Sequence, residues 1–184
     1  GPTDYIGLNV GVWTFHLEGG EGTIDQPRGD PCLVAYTING KRIFFVSDMP
    51  GGYGGTDIYM CLDQGGQWGE PVNLGSAINT AQNEVFPFVG TDNTLYFSSN
   101  GHPGLGGLDI HAAKYLGLDE YGSPMNVGAP VNGTLDDFAF IIDKSGKRGY
   151  FSSNRPGGVG DDDIYTFEMT GPLEQRFLVT GLVI

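Results

Sequence analysis

Short runs of aromatic and β-branched residues alternate with turns rich in glycine and proline along most of the chain. Such runs occupy residues 44–47, 95–99 and 150–153, and each is followed by a Gly/Pro-rich connection and then by Asp-Ile-Tyr or Asp-Ile-His. Each run predicts a β-strand, and the Asp-Ile dipeptide begins the next strand. Because no long helical periodicity is present, the pattern predicts an all-β chain built on three hairpins, each with a long, shaped loop.

The three hairpins are copies of one internal repeat. Residues 44–59 read FFVSDMPGGYGGTDIY, residues 96–111 read YFSSNGHPGLGGLDIH and residues 150–165 read YFSSNRPGGVGDDDIY. A period near 50 residues with strand-type composition points to β-propeller blades, because helical solenoid units have shorter periods and helical hydrophobic spacing.

Two further strands complete the predicted unit. One precedes each hairpin, at residues 32–37, 85–89 and 138–142, and a fourth follows in the matching segments 68–75 and 121–128. Each fourth segment is followed by a loop that contains Asn79 or Asn132. Four antiparallel strands per unit are typical of a propeller blade.

The blade count indicates that this ring is incomplete. Closed propellers have about 4–8 blades, whereas three are recognisable here and the third lacks its fourth segment. A three-blade arc would expose a sheet edge and a blade face. We therefore expect the three blades to be part of a larger ring; a four-blade ring completed by residues 1–30 and 169–184 is the alternative.

The predicted organisation has three parts. Residues 1–30 form a leader, a partial blade or a closing strand; segments 5–10 and 12–17 could be strands, and the Gly-Gly-Glu-Gly run at 19–22 breaks them. Residues 31–168 form the blades, divided at about 31–80, 81–133 and 134–168. Residues 169–184 follow the last blade.

The repeat resembles a known family. The pattern aromatic-Phe-Ser-Ser-Asn-Arg-Pro-Gly-Gly-x-Gly-x-x-Asp-Ile-Tyr, with Trp-x-x-Pro-x-Asn-Leu-Gly and Ile-Asn-Thr between copies, resembles the WD-like, PD-type propeller repeats of Bacteroidetes envelope proteins of the OmpA family. The PorE-like components of the type IX secretion system belong to that family. The resemblance covers about residues 31–168. It implies that residues 169–184 are a linker and the start of a regulatory-like β-domain.

The resemblance also implies a place and a role. In this family the propeller precedes an OmpA-type peptidoglycan-binding domain, so the implied location is the periplasm, in association with the outer membrane. The implied partners are other envelope or secretion proteins. Peptidoglycan would be bound only through domains outside this chain.

Shared glycines and aspartates are predicted to maintain the hairpin loops. Glycine recurs in two columns, which suits positive φ or a close approach of neighbouring backbone; the residues are Gly52, Gly104, Gly158, Gly54, Gly106 and Gly160. A short carboxylate can accept hydrogen bonds from loop N–H groups. We therefore interpret Asp57, Asp109 and Asp163 as turn anchors.

Charge and cysteine content narrow the partners. The formal net charge of −13 argues against nucleic acid and anionic membrane surfaces. The acidic residues fall mostly in loops, which is typical of a solvated surface; attraction of a basic partner or a divalent cation is the alternative. No apolar run is long enough to span a membrane. Cys32 and Cys61 lie two strand spacings apart in the predicted blade, beyond disulfide reach, so two separate buried thiols are expected.

Catalytic motifs are sparse. The sequence contains no Gly-x-Ser-x-Gly, His-Glu-x-x-His or Gly-x-x-x-x-Gly-Lys pattern. His16, His102 and His111 lack metal-ligand spacing, and His111 occupies the column of Tyr59 and Tyr165, which indicates packing. Consecutive aspartates at 161–163 point in different directions and are poor calcium ligands. We predict no catalytic residue, no metal and no cofactor.

Binding, where it occurs, is predicted at loop positions that vary between copies. Variable columns are free of the shared structural role, and their aromatic, apolar and Arg content suits protein contact. These positions, expected to face outward, are Met49, Tyr53, His102, Leu105, Arg155, Val159 and Asp161. The predicted binding residues among them are Tyr53, His102, Arg155 and Asp161.

Three functional classes follow from this reading. The first is a non-enzymatic interaction scaffold of the cell envelope, the second a propeller that binds a small ligand or glycan, and the third a hydrolase. An enzyme would show converging carboxylates, a ligand module a lined pocket, and a scaffold an exposed apolar patch.

Overall fold

The computed structural model describes residues 41–171 and Leu173 with their side chains, and the backbone of four strands that precede them. Every regular element in this part of the chain is a β-strand, and all strand ladders within the sheets are antiparallel. None of the described residues forms a helix long and apolar enough to cross a membrane. The all-β prediction is confirmed.

Each repeat copy forms its own sheet. Unit 1 consists of β4 (Tyr36–Ile38), β5 (Arg42–Ser47), β6 (Asp57–Leu62) and β7 (Val72–Asn73), hydrogen-bonded in that order. Unit 2 consists of β8 (Glu84–Val89), β9 (Leu95–Ser99), β10 (Asp109–Ala113) and β13 (Met125–Asn126). Unit 3 has three strands, β14 (Asp137–Ile142), β15 (Arg148–Ser153) and β16 (Asp163–Glu168). The predicted strand order within a unit is therefore correct.

Two smaller sheets lie outside the repeat. The first is β1 (Gly7–Asn9), β2 (Val12–Leu17) and β3 (Gly20–Asp25), and the second is the hairpin of β11 (Tyr115–Gly117) and β12 (Glu120–Tyr121). β1 and β2 lie within the candidate strands 5–10 and 12–17, and β2 ends at Leu17, before the glycine-rich run. Residues 20–22 of that run begin β3, in which Gly20 pairs with Leu17 and Gly22 with Phe15. Glycine can take part in this ladder because the paired groups are backbone N–H and C=O.

The units pack face to face through side chains that alternate along their strands. One face of unit 1, which includes Phe44 and Ile58, forms a buried cluster with Leu95 and Phe97 of unit 2. The opposite face of unit 2, which includes Tyr96, Ile110 and Ala112, packs in the same way on Phe140 and Phe151 of unit 3. We call the face that looks toward the following unit the trailing face. The period of two along each strand decides which residues occupy it.

Cys61 is a free, buried thiol on β6, as predicted; Cys32 lies outside the described residues. Burial raises the pKa of Cys61 to about 12, because the apolar surroundings disfavour the thiolate. In a Cys32→Ser variant, we expect Ellman's reagent at about pH 8 to leave the native protein unmodified and to react fully in denaturant. Rapid reaction of the native protein would contradict this burial.

Candidate interaction site

The shared aspartates hold the hairpin loops closed. Asp57 accepts hydrogen bonds from the backbone N–H of Tyr53 at 2.6 Å and of Gly54 at 3.2 Å. Asp109 and Asp163 accept the equivalent pairs from their own loops, at 2.8–3.0 Å and 2.8–3.3 Å. Three loops therefore share one anchoring geometry, and the interpretation of these carboxylates as turn anchors is confirmed.

A buried asparagine closes the fourth strand onto the third in units 1 and 2. The Asn79 side chain accepts a hydrogen bond from Ile58 N (2.8 Å) and donates to Ile58 O (3.0 Å) and Asn73 Oδ1 (2.8 Å). Asn132 makes the same three bonds to Ile110 and Asn126 in unit 2, at 2.8–2.9 Å. One amide thus satisfies the strand-edge N–H that the fourth segment leaves uncovered and adds a second bond to the carbonyl of the same residue.

The hairpin loops of units 1 and 2 also form hydrogen bonds with the segment that leads into the next unit. Gly55 N donates to Gln82 O at 2.7 Å, and Glu84 N donates to Thr56 O at 2.8 Å. At the second junction Gly107 N donates to Leu135 O at 3.2 Å, and Asp137 N donates to Leu108 O at 2.7 Å. These paired backbone bonds fix the position of each unit relative to its neighbour.

The segments that lead into units 2 and 3 each carry a buried carboxylate that the sequence did not identify as such. Glu84 is fully buried and accepts hydrogen bonds from Thr80 N, Thr80 Oγ1 and Ser99 Oγ at 2.6–2.7 Å. Asp137, in the same column of unit 3, accepts bonds from Gly133 N and Arg155. An acidic residue at the start of the first strand in both units was the available signal.

A contact between Arg42 and the β11–β12 hairpin was also missed. Arg42 Nε donates to Asp119 Oδ1 at 2.7 Å, its Nη2 donates to the Tyr115 hydroxyl at 2.6 Å, and its guanidinium lies 4.8 Å from the Tyr115 ring centroid. Since unit 1 has only an isolated bridge between Asp63 and Trp68 at this place, the repeat offered no template for the hairpin.

The structure places two of the four predicted binding residues on the surface and two in contacts between units. Tyr53 and Asp161 are exposed. His102 is half-buried: its Nε2 lies 2.7 Å from Ile78 O of unit 1, and its ring packs on Phe97. The expectation that His102 faces outward is wrong, because unit 1 supplies an acceptor, Ile78 O, and its own unit supplies an aromatic surface, Phe97.

Arg155 also turns inward. It donates to Ser153 Oγ and to the backbone oxygens of Pro130 and Val131, and it pairs with Asp137. Its guanidinium lies 4.9 Å and 5.0 Å from the ring centroids of Phe151 and Tyr165. The expected outward orientation of Arg155 is corrected, since its donors tie unit 3 to unit 2. That any of the four residues binds a partner stays a prediction.

Met49 provides a third correction among the variable positions. It is buried against Phe45 and Tyr59, because its backbone N–H donates to Ser47 Oγ and the turn directs the side chain inward. Leu105 and Val159 are exposed, as expected.

His111 is packed, as its column predicted. It is buried, its ring stacks on Phe97, and its Nδ1 lies 2.9 Å from Asp109 O. Desolvation by burial lowers the pKa of His111, although the backbone oxygens of Pro103 and Asp109 oppose the shift. The unfolded chain therefore binds a proton at this residue at a higher pH than the native protein does. As a result, the free energy of unfolding decreases as pH falls through the ordinary histidine pKa.

We expect a His111→Tyr variant, which restores the residue of the other two units, to lose less free energy of unfolding than the parent between about pH 7 and about pH 5. Urea unfolding of both proteins at the two pH values measures the difference. Equal losses would mean that His111 does not contribute to the acid sensitivity.

Unit 3 exposes a sheet face and a strand edge that are covered in units 1 and 2. Its trailing face exposes Tyr150 (54%) and Ile164 (77%), whereas Ile58 and Ile110 in the column of Ile164 are 0% exposed. Within the described part of the chain, β16 pairs only with β15, so its outer edge carries no fourth strand. Both the exposed face and the exposed edge expected of a three-blade arc are present.

A cavity of about 930 Å³ lies beside the open edge, between units 2 and 3. Aromatic side chains of unit 3 (Phe151, Tyr165 and Phe167) and Arg155 contribute to its lining. In unit 1 the corresponding columns are Phe45, Tyr59 and Cys61, and Trp68 of the fourth segment packs on them. The cavity thus corresponds to the place of the fourth-segment aromatic residue.

Among the described residues, no group of three or more His, Cys, Asp or Glu side chains is arranged to hold a metal ion. Asp161 and Asp162 are exposed, while Asp163 is engaged by its loop.

Comparison with known proteins shows a weak likeness to a solved structure and no match by sequence. No protein-family model and no curated protein matches the chain. A crystal structure of α-L-arabinofuranosidase from Lactobacillus brevis is similar, with a TM-score of 0.45 and 12% sequence identity over 85% of this chain. The chain spans 62% of the length of that protein. A likeness at this score assigns neither a fold nor an activity.

Proposed function

We propose that the chain is a non-enzymatic protein-interaction scaffold, formed by three blades of a β-propeller region in a bacterial envelope protein. The observation that carries the proposal is the trailing face of unit 3, where Tyr150 and Ile164 are exposed although their counterparts are buried between units. A contiguous apolar surface on a folded chain marks an interaction site.

The propeller assignment is supported by the way the units repeat. Successive sheets pack face to face, and the same loop-to-strand junction joins unit 1 to unit 2 and unit 2 to unit 3. A repeated junction of this kind is what successive propeller blades would be expected to share.

The proposal of a non-enzymatic role is supported by the hydrogen bonds that the repeated carboxylates make within their own loops. Asp57, Asp109 and Asp163 each accept N–H groups of their own loop. A carboxylate that accepts two backbone donors of its own loop has a structural role in the turn.

The resemblance of the repeat to the PorE-like envelope family supplies the proposed setting. The scaffold would act in the periplasm, associated with the outer membrane, and link a secretion or outer-membrane assembly to peptidoglycan through neighbouring domains. No nucleic acid and no inserted membrane segment is part of this proposal.

The test is affinity purification of the full-length parent protein from its envelope, followed by mass spectrometry. We expect a Tyr150→Ser/Ile164→Ser variant to lose partners that the wild-type protein retains. A Val159→Ser variant is the matched control, because Val159 is fully exposed on a loop rather than on the sheet face. An unchanged partner set in the double variant would overturn the assignment of this face.

A further inference from the structure

We propose that the open edge of β16 is a strand-addition site that binds an extended segment of the type aromatic-Gly-x-Pro-x-Asn-(Leu/Val)-Gly from a partner polypeptide. This inference deepens the proposed scaffold function and rests on it. The sequence of the bound segment is inferred from the segments of this chain that cover the same edge in units 1 and 2.

The first observation is the geometry of the covered edges. In unit 1, Val72 and Asn73 pair with Met60 and Tyr59, and Leu74 N donates to Ile58 O at 3.1 Å. In unit 2, Met125 and Asn126 pair with Ala112 and His111, and Val127 N donates to Ile110 O at 3.1 Å. Both segments belong to the same motif, at 68–75 and 121–128.

The second observation is that β16 presents the same edge without a cover. Register with β15 places Ile164 and Thr166 in the columns of Ile58 and Met60. In the described chain, the N–H and C=O of Ile164 have no fourth strand and no asparagine amide to pair with. Unpaired edge groups of this kind are the template for an added strand.

The third observation is independent of the backbone. Trp68 packs on Ile43, Phe45, Tyr59 and Cys61 in unit 1, and Tyr121 packs with Leu95, Phe97 and Ala113 in unit 2. In unit 3 the corresponding face borders the cavity of about 930 Å³. A segment that pairs with β16 in the same register brings its aromatic residue to this cavity.

Edge and cavity together therefore select one kind of occupant. The backbone of the segment would donate to Ile164 O, as Leu74 N donates to Ile58 O. The asparagine that follows the motif would bridge Ile164 N and O, as Asn79 bridges Ile58. The aromatic side chain would pack against Phe151 and Tyr165, next to Arg155.

Two synthetic peptides with the sequences of residues 68–79 and 121–132 are the probes. We expect saturable binding of at least one peptide to the purified chain by fluorescence polarisation, with slower hydrogen exchange at Ile164 and Thr166. Peptide versions N-methylated at Leu74, or carrying Asn79→Ala or Trp68→Ala, test the backbone bond, the amide bridge and the aromatic contact. Each change is expected to weaken binding about tenfold.

The protein variants are matched at one position. Ile164→Pro removes the outward N–H, whereas Ile164→Ala keeps it and shortens an exposed side chain. Circular dichroism checks that both fold. We expect Ile164→Pro to bind at least about tenfold more weakly than Ile164→Ala.

Three outcomes would overturn the proposal: no saturable binding of either peptide, equal affinity for the N-methylated peptide, or equal affinity of the two protein variants. Concentration-dependent self-association of the chain that Ile164→Pro abolishes would assign the edge to a second copy instead. Peptide binding without any captured envelope partner would refute the scaffold function and leave the edge assignment intact. Captured partners without peptide binding would support the scaffold function and refute the edge assignment.

Discussion

A Gly106→Ala variant is expected to lose about 3 kcal/mol of unfolding free energy, the upper part of the range for overpacking. A Cβ at residue 106 would lie 2.1 Å from Leu135 O and 2.8 Å from both Leu135 N and Thr134 C. All three atoms are backbone of the segment that leads into β14, so no side-chain rotation relieves the collision. Units 2 and 3 must therefore move apart, and this weakens the junction bonds at Leu135 and Asp137.

The repeat supplies its own control for this substitution. Gly160 occupies the same column in unit 3, and a Cβ there would lie 3.4 Å from Asp162 O, an ordinary contact. Thermal unfolding should show a midpoint about 6–12 °C lower for Gly106→Ala than for the parent, with Gly160→Ala close to the parent. Equal midpoints for the two variants would show that the loop, and not the junction between units, sets the need for glycine.

Repetition made the hairpins and their anchors predictable. Because Asp57, Asp109 and Asp163 recur in one column while the residues around them change, their common role could be deduced without coordinates. Their hydrogen bonds to loop N–H groups confirm it. Of the two reasons considered for the shared glycines, the close approach applies at Gly54 and Gly106, where a Cβ would meet the next unit's backbone.

Side-chain direction at the variable loop positions could not be deduced in the same way. Arg155 and His102 belong to exposed loops by sequence, yet a long or flat side chain follows the nearest acceptors and aromatic rings. For Arg155 these are Asp137 and the rings of Phe151 and Tyr165, all brought close only by folding. The β11–β12 hairpin was missed because one unit alone contains it.

The asparagine bridge has consequences for stability that differ from those of the glycine contact. We expect an Asn132→Ala variant to lose about 1–3 kcal/mol, because the buried N–H of Ile110 loses its acceptor. Asn132 is 1% exposed and bonds Ile110 N and O as well as Asn126 Oδ1. In the alanine variant Ile110 O keeps the bond from Val127 N and Asn126 Oδ1 keeps the bond from Gly128 N, so the cost falls on the Ile110 N–H.

Urea unfolding of Asn132→Ala, with Asn100→Ala as the control, measures this cost. Asn100 is exposed, and its side-chain oxygen accepts exposed bonds from Asn83 N at 3.0 Å and Asn83 Nδ2 at 3.5 Å, so its loss should cost less than about 1 kcal/mol. Hydrogen exchange should also quicken at Ile110 in Asn132→Ala, since its N–H loses its acceptor. Unchanged exchange at Ile110 would mean that β13 holds the edge without the amide. In that case the same amide could not be required at the open edge of β16, so this measurement also tests the chemistry assigned to the proposed partner segment.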